Sequence, residues 1–244
     1  MNTAFVIAGN TINEAMRRKI LNAFLMVGLA MIVLMFSFTT FAARQELTLI
    51  KGMGLGVISL AGLFISVILS KPVTRYQFLL GKYLGAIGTV SINIGLMGIL
   101  FVIAVAIKQA LGHQVVDAPL LLIQVLLTLF QLILLCSLSV FLSVFTPPLI
   151  NFFATLSLFI IGSMSPVTYD LAKNAGNPLA KAFFSAVHYI VPNFGNFNYT
   201  NPLLNTTVQV TSPELFVAQN IIYSIVYSAV LLIIAVLAFD RKEV

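Results

Sequence analysis

Long apolar runs alternate along the chain with short polar breaks that carry all of its charge. No Asp, Glu, Lys or Arg occurs within 20–43, 52–70, 83–107, 118–169, 182–213 or 215–239. About 20 apolar residues let a helix cross the hydrocarbon core of a bilayer. The 118–169 run has room for two crossings, and Thr146-Pro147-Pro148 divides it. Prolines without N–H groups suit a tight connection at the membrane surface. The 182–213 run is also uncharged, but from Pro192 it reads Pro-Asn-Phe-Gly-Asn-Phe-Asn-Tyr-Thr-Asn-Pro. So many amide side chains would be stranded in lipid. The pattern predicts an all-α polytopic membrane protein, a single transmembrane domain over 1–244. Its six spans fall at about 20–43, 52–70, 83–107, 119–145, 149–166 and 216–239.

Two segments outside the spans have a pattern of their own. In residues 4–19, Phe5, Ile12, Met16 and Ile20 share a stripe, while Asn10, Asn13, Glu14, Arg17 and Arg18 lie elsewhere. Glu14 and Arg18 stand i,i+4 in the favourable order. The segment predicts either an amphipathic elbow helix in the cytoplasmic membrane interface or an extension of the first span. The outer segment 167–214 mixes Tyr169, Phe183, Phe184, His188, Tyr189 and Phe194 with polar residues. It predicts short extracytoplasmic helices over about 170–190, then a turn-rich, partly re-entrant stretch.

Composition narrows the class. Of 244 residues 60% are apolar and 8% charged, against about 25% charge in a soluble domain. A soluble enzyme, a disordered tail, a disulfide scaffold and a coiled coil are all excluded. The sorting of charge sets the orientation. With six spans both termini share a side, which holds Arg17, Arg18, Lys19, Lys71, Arg75, Lys82, Arg241 and Lys242. The other side holds Arg44, Lys51, Lys108, Lys173 and Lys181. Both termini are expected in the cytoplasm, with the chain multi-pass in the cell (inner) membrane and surrounded by lipid. The net charge of +6 follows from this sorting, and no nucleic-acid partner is needed to explain it. The basic cluster at Arg17 comes too late for a cleavable signal peptide, so the first span is expected to be retained.

Candidate chemistry is sparse. Cys136 is the single cysteine, which reads as a small apolar filler. His113 and His188 share no ligand spacing, and Met26, Met31 and Met35 read as packing residues before they read as copper ligands. Gly81-Lys82 lacks a glycine at position 76 and is followed by Tyr83, so it is no phosphate-binding loop. No catalytic residue, metal site or cofactor is expected on this chain. No expected span carries a charge, which disfavours a proton-driven carrier, though a sodium site of carbonyls and hydroxyls stays open. The polar residues inside the spans are neutral. Gln124, Thr128, Gln131 and Ser139 share a face of the fourth span, Asn151 and Thr155 pair on the fifth, and Ser91 and Asn93 lie in the third. The first six either line a translocation route for an amphiphile or hydrogen-bond between helices. Gly81, Gly85 and Gly88 form a small-residue edge at the base of the third span.

The corner between spans two and three carries the most local information. Thr74 and Gln77 have capping-box spacing, Val73 and Phe78 that of a hydrophobic staple, and Pro72 breaks the preceding helix. A sharp corner is expected, then a capped helix running from Arg75 into the third span. The whole stretch, Ser70-Lys-Pro-Val-Thr-Arg-Tyr-Gln-Phe-Leu-Leu-Gly-Lys-Tyr-Leu-Gly85, resembles the corner signature of type-2 ABC exporter permeases. It is most similar to the branch associated with multicopper-enzyme maturation. Val191-Pro-Asn-Phe-Gly-Asn-Phe-Asn198 and the C-terminal Phe239-Asp-Arg-Lys-Glu-Val244 resemble that family too. The resemblance implies a permease subunit that pairs with a second copy or a paralogue. Separate ABC ATPase subunits would carry ATP and magnesium. Lys71, Pro72, Val73, Thr74, Arg75, Tyr76, Gln77 and Phe78 would couple to them as a coupling helix. A rival reading keeps the fold but makes the chain a non-transporting scaffold that gates or anchors an extracytoplasmic partner protein.

Overall fold

A computed structural model describes residues 3–17, 26, 28, 30, 55–63, 76–110, 118–198 and 213–240. Seven helices carry most of these: α1 (Thr3–Arg17), α2 (Tyr76–Ala110), α3 (Ala118–Ser143), α4 (Pro148–Ser163), α5 (Ser165–Asn174), α6 (Pro178–Ile190) and α7 (Pro213–Asp240). Residues 55–63 are also helical, and a 3₁₀ turn spans Gly195–Phe197. The described residues contain no strand.

Length decides which helices cross a membrane. At 1.5 Å per residue, α2, α3 and α7 reach about 52, 39 and 42 Å, each more than the ~30 Å hydrocarbon core. Their apolar windows, Leu79–Ile107, Leu121–Ser143 and Glu214–Phe239, qualify as spans. The helix α4 has 16 residues and reaches only about 24 Å. The chain then bends by 72° into α5, so α4 with α5 makes at most one broken span. The expected fifth span therefore stops at Ser163, three residues early. Residues 64–70 and nearly all of 20–43 lie outside the described residues, as does the corner from Lys71 to Arg75.

The α3 helix is the centre of the bundle. Its window is 61% buried, against 39% for α2 and 22% for α7. Leu121, Leu127, Leu132, Leu134, Leu135 and Cys136 are fully buried along it. Serines let α7 approach closely: the Ser224 hydroxyl donates to the Phe130 carbonyl at 2.7 Å, and Ser137 and Ser228 meet at 3.2 Å. Tyr83 of α2 approaches the same Ser228, so buried polar side chains of three helices meet here. The 55–63 helix fits against both α2 and α3, where Gly62 faces Ile94 and Leu132.

The tandem prolines divide α3 from α4 as the sequence suggests. Pro147 caps α4 in extended geometry and Pro148 is its first residue, where a missing N–H costs nothing. At the far end of α2, the glycine edge receives α1. A Cβ on Gly81 would lie 2.9 Å from the Ala4 carbonyl oxygen, and one on Gly85 would lie 2.6 Å from the Thr11 Cβ. Only hydrogen at these positions lets the two backbones come so near. The packed face of α1 is Ala4, Ile7, Ala8, Thr11 and Ile12, whereas Phe5 of the expected stripe points outward.

Candidate functional site: a neutral cavity closed by a tucked loop

At the other end of the bundle, α5 and α6 pack against each other as a hairpin. Asn177 starts α6 by accepting the Leu179 N–H at 3.0 Å, with Pro178 at the first position; both are ordinary N-terminal signals. His188 of α6 meets the hydroxyls of Ser165 and Thr168 of α5 at 3.3 and 3.4 Å. No side chain of α6 is buried, and Leu179, Phe183, Tyr189 and Ile190 stand well out.

After α6 the chain turns inward. Residues 191–198 tuck between α3, α4 and α7, and Phe194 and Phe197 are completely buried. Two glutamines of α3 reach across to this loop. Gln131 donates its amide N–H to the Phe194 carbonyl at 3.1 Å, and Gln124 donates to the Phe197 carbonyl at 2.9 Å. The Phe194 N–H donates to the Gly162 carbonyl at 3.1 Å, and the Asn193 N–H to the Tyr223 hydroxyl at 2.9 Å. Tyr227 closes the seam by donating to the Ile190 carbonyl at 2.6 Å. The loop is also braced internally, since Asn193 and Asn196 bond through side chain and backbone. Backbone groups buried away from water need partners, and here side chains of α3 and α7 supply several of them.

Behind the loop lies a partly enclosed cavity of about 250 Å³. The 55–63 helix lines it with Leu55, Gly56, Ser59 and Leu60, α3 with Gln124, Thr128 and Gln131, α4 with Phe159 and Ser163, and the loop with Asn198. None of these ten residues is charged. Thr128 donates to its own Gln124 carbonyl at 2.9 Å and Ser163 to the Phe159 carbonyl at 2.7 Å.

The six polar residues singled out in spans four and five thus fall into two groups. Gln124, Thr128 and Gln131 line the cavity. Ser139, Asn151 and Thr155 sit lower, where Asn151 donates to Ser139 at 3.3 Å and accepts from Thr155 at 3.3 Å. That second group joins α3 to α4 and does not line the cavity. Asn93 of α2 is buried elsewhere. Its amide donates to the Thr89 carbonyl at 3.0 Å, and among the described residues its Oδ1 has no partner. Of the eight corner residues, Tyr76, Gln77 and Phe78 are described, and they lie in α2, which runs unbroken from Tyr76 to Ala110.

Sequence reasoning missed Gly162, Pro166, Tyr223 and Tyr227. One signal pointed to the first two. Pro166 stands four residues after Gly162, so no N–H is present to close the helical bond to the Gly162 carbonyl. That carbonyl takes the Phe194 N–H instead.

A bundle of long apolar helices around a neutral polar compartment defines a multi-pass membrane protein. Its family can also be stated. The model described as ABC-2 family transporter protein matches residues 64–244, and the chain belongs to that family. It is a membrane permease component of an ABC transporter, which works with ABC ATPase subunits. Comparison with curated proteins and with solved structures returns no match.

Proposed function

We propose that the chain is the membrane-spanning permease subunit of an ATP-driven exporter in the cell membrane, with both termini in the cytoplasm. A separate ATPase subunit binds ATP and magnesium and pushes on the Lys71–Phe78 corner. A second copy or a paralogue completes the pathway, and the cavity at Gln124, Thr128 and Gln131 is the stretch of that pathway contributed by this chain. The ABC-2 match over 64–244 is the observation that carries the reading. The unbroken course of α2 from Tyr76 supports it, because a helix of 35 residues moves as one lever. A push at its first turn reaches Asn93 and Met97 without a joint to absorb it.

The experiment is purification of the tagged chain from its native membrane together with any bound ATPase. Arg75→Glu combined with Phe78→Asp is expected to abolish co-purification or to uncouple ATP turnover from transport. Unchanged assembly and unchanged turnover in that variant would remove the coupling role.

A further inference from the structure

The cavity has a chemistry of its own that selects among cargoes. We infer that it binds the uncharged, hydrogen-bonding head of an amphiphile, a deepening that rests on the permease reading above. Charge is excluded first. No lining residue is ionisable, and no Asp, Glu, Lys or Arg occurs within 52–70 or 118–169, the runs that supply nine of the ten lining positions. An ionic head placed there would lose its hydration and gain no counter-charge. Pure hydrocarbon fails for the opposite reason. Thr128, Gln131 and Ser163 spend a donor on protein carbonyls, but their oxygens, with the Ser59 hydroxyl, also line the cavity and can accept from a ligand hydroxyl, which hydrocarbon cannot offer. A head of hydroxyls or carbonyls satisfies both limits.

Size and opening set the rest. A volume of about 250 Å³ is below the 300 to 1,000 Å³ that holds a drug-sized ligand. The cavity therefore takes a head and leaves the remainder outside. Leu60 lines it and is half exposed, and among apolar spans that side meets acyl chains. The tail lies there.

The test uses the full chain in phospholipid nanodiscs with two photoactivatable probes of equal chain length, a monoacylglycerol and a fatty-acid carboxylate, each with a diazirine in the acyl chain near the head. Labelled peptides are read by mass spectrometry. The monoacylglycerol is expected to label 55–60 and the Gln124–Gln131 stretch, at least about tenfold over the carboxylate, the scale of losing one or two good hydrogen bonds. Gly56→Leu fills the cavity, and a Cβ at Gly56 meets nothing within 4 Å, so the variant keeps its fold while labelling falls by a similar factor. Thr128→Val, which keeps the volume, is a second variant and is expected to weaken labelling less. Equal labelling by the carboxylate, or full labelling in Gly56→Leu, overturns the inference. Selective labelling by a chain that transports nothing with its ATPase would contradict the permease reading and leave this site standing.

Discussion

The backbone N–H of Phe194 donates to the carbonyl of Gly162 at 3.1 Å, a bond available because residue 166 is a proline. Through it the broken end of α4 holds the tucked loop. Gly162 contributes a second feature, since a Cβ there would collide with the Pro192 carbonyl oxygen and press on the Phe194 ring. Gly162→Ala is therefore expected to destabilise the purified protein by about 1–3 kcal/mol, as overpacking does. Gly56→Ala, with open space around it, is expected to cost nothing. Thermal unfolding in detergent compares the two.

The glutamines give a second prediction. In Gln124→Leu or Gln131→Leu, a buried loop carbonyl loses its donor, at a cost of about 1–3 kcal/mol each. The amides at 193–198 should then exchange with solvent about tenfold faster or more, because local opening becomes easier. Exchange in α7 near Leu231 is expected to stay unchanged.

Much of this was legible beforehand, and the reasons differ by element. The tandem Pro147-Pro148 acts within one turn of chain, so the break it makes between α3 and α4 followed from local chemistry. The cap expected from Thr74 and Gln77 lies at the edge of the described residues, which resume in helix at Tyr76. The role of Gln124 and Gln131 was not legible, because their partners are 73 and 63 residues away and are backbone carbonyls that any residue type offers. The polar stripe on the fourth span was read as one surface. In the structure its two ends meet different neighbours, the loop above and α4 below. On α1 the large Phe5 stands outward, while the small residues Ala4 and Ala8, which hydrophobic periodicity does not single out, mark the face that packs on α2.

The glycine edge of α2 predicts a third outcome. Gly85→Leu would press on Thr11 and the Ala8 carbonyl, and α1 is expected to leave α2. Paired cysteines at Ala8 and Leu84, in a Cys136→Ala background, should cross-link in the parent and fail in the Gly85→Leu variant. Retained cross-linking would show that α1 is held by other contacts.

Asn93 gives a prediction of opposite sign. Its Oδ1 lacks a partner among the described residues, so Asn93→Leu removes a buried acceptor without breaking a bond between helices. The variant is expected to be neutral or more stable by up to about 1 kcal/mol, in contrast to the two glutamine variants. Thermal unfolding under the same conditions checks the sign.

An ATPase in the cytoplasm can drive this permease only if the Lys71–Phe78 corner faces it. The most direct test places one cysteine at Arg75 in the Cys136→Ala background and adds a membrane-impermeant maleimide to intact cells and to permeabilised cells. No labelling until the cells are permeabilised is the predicted result. Labelling of intact cells would put the corner on the external face and contradict the account.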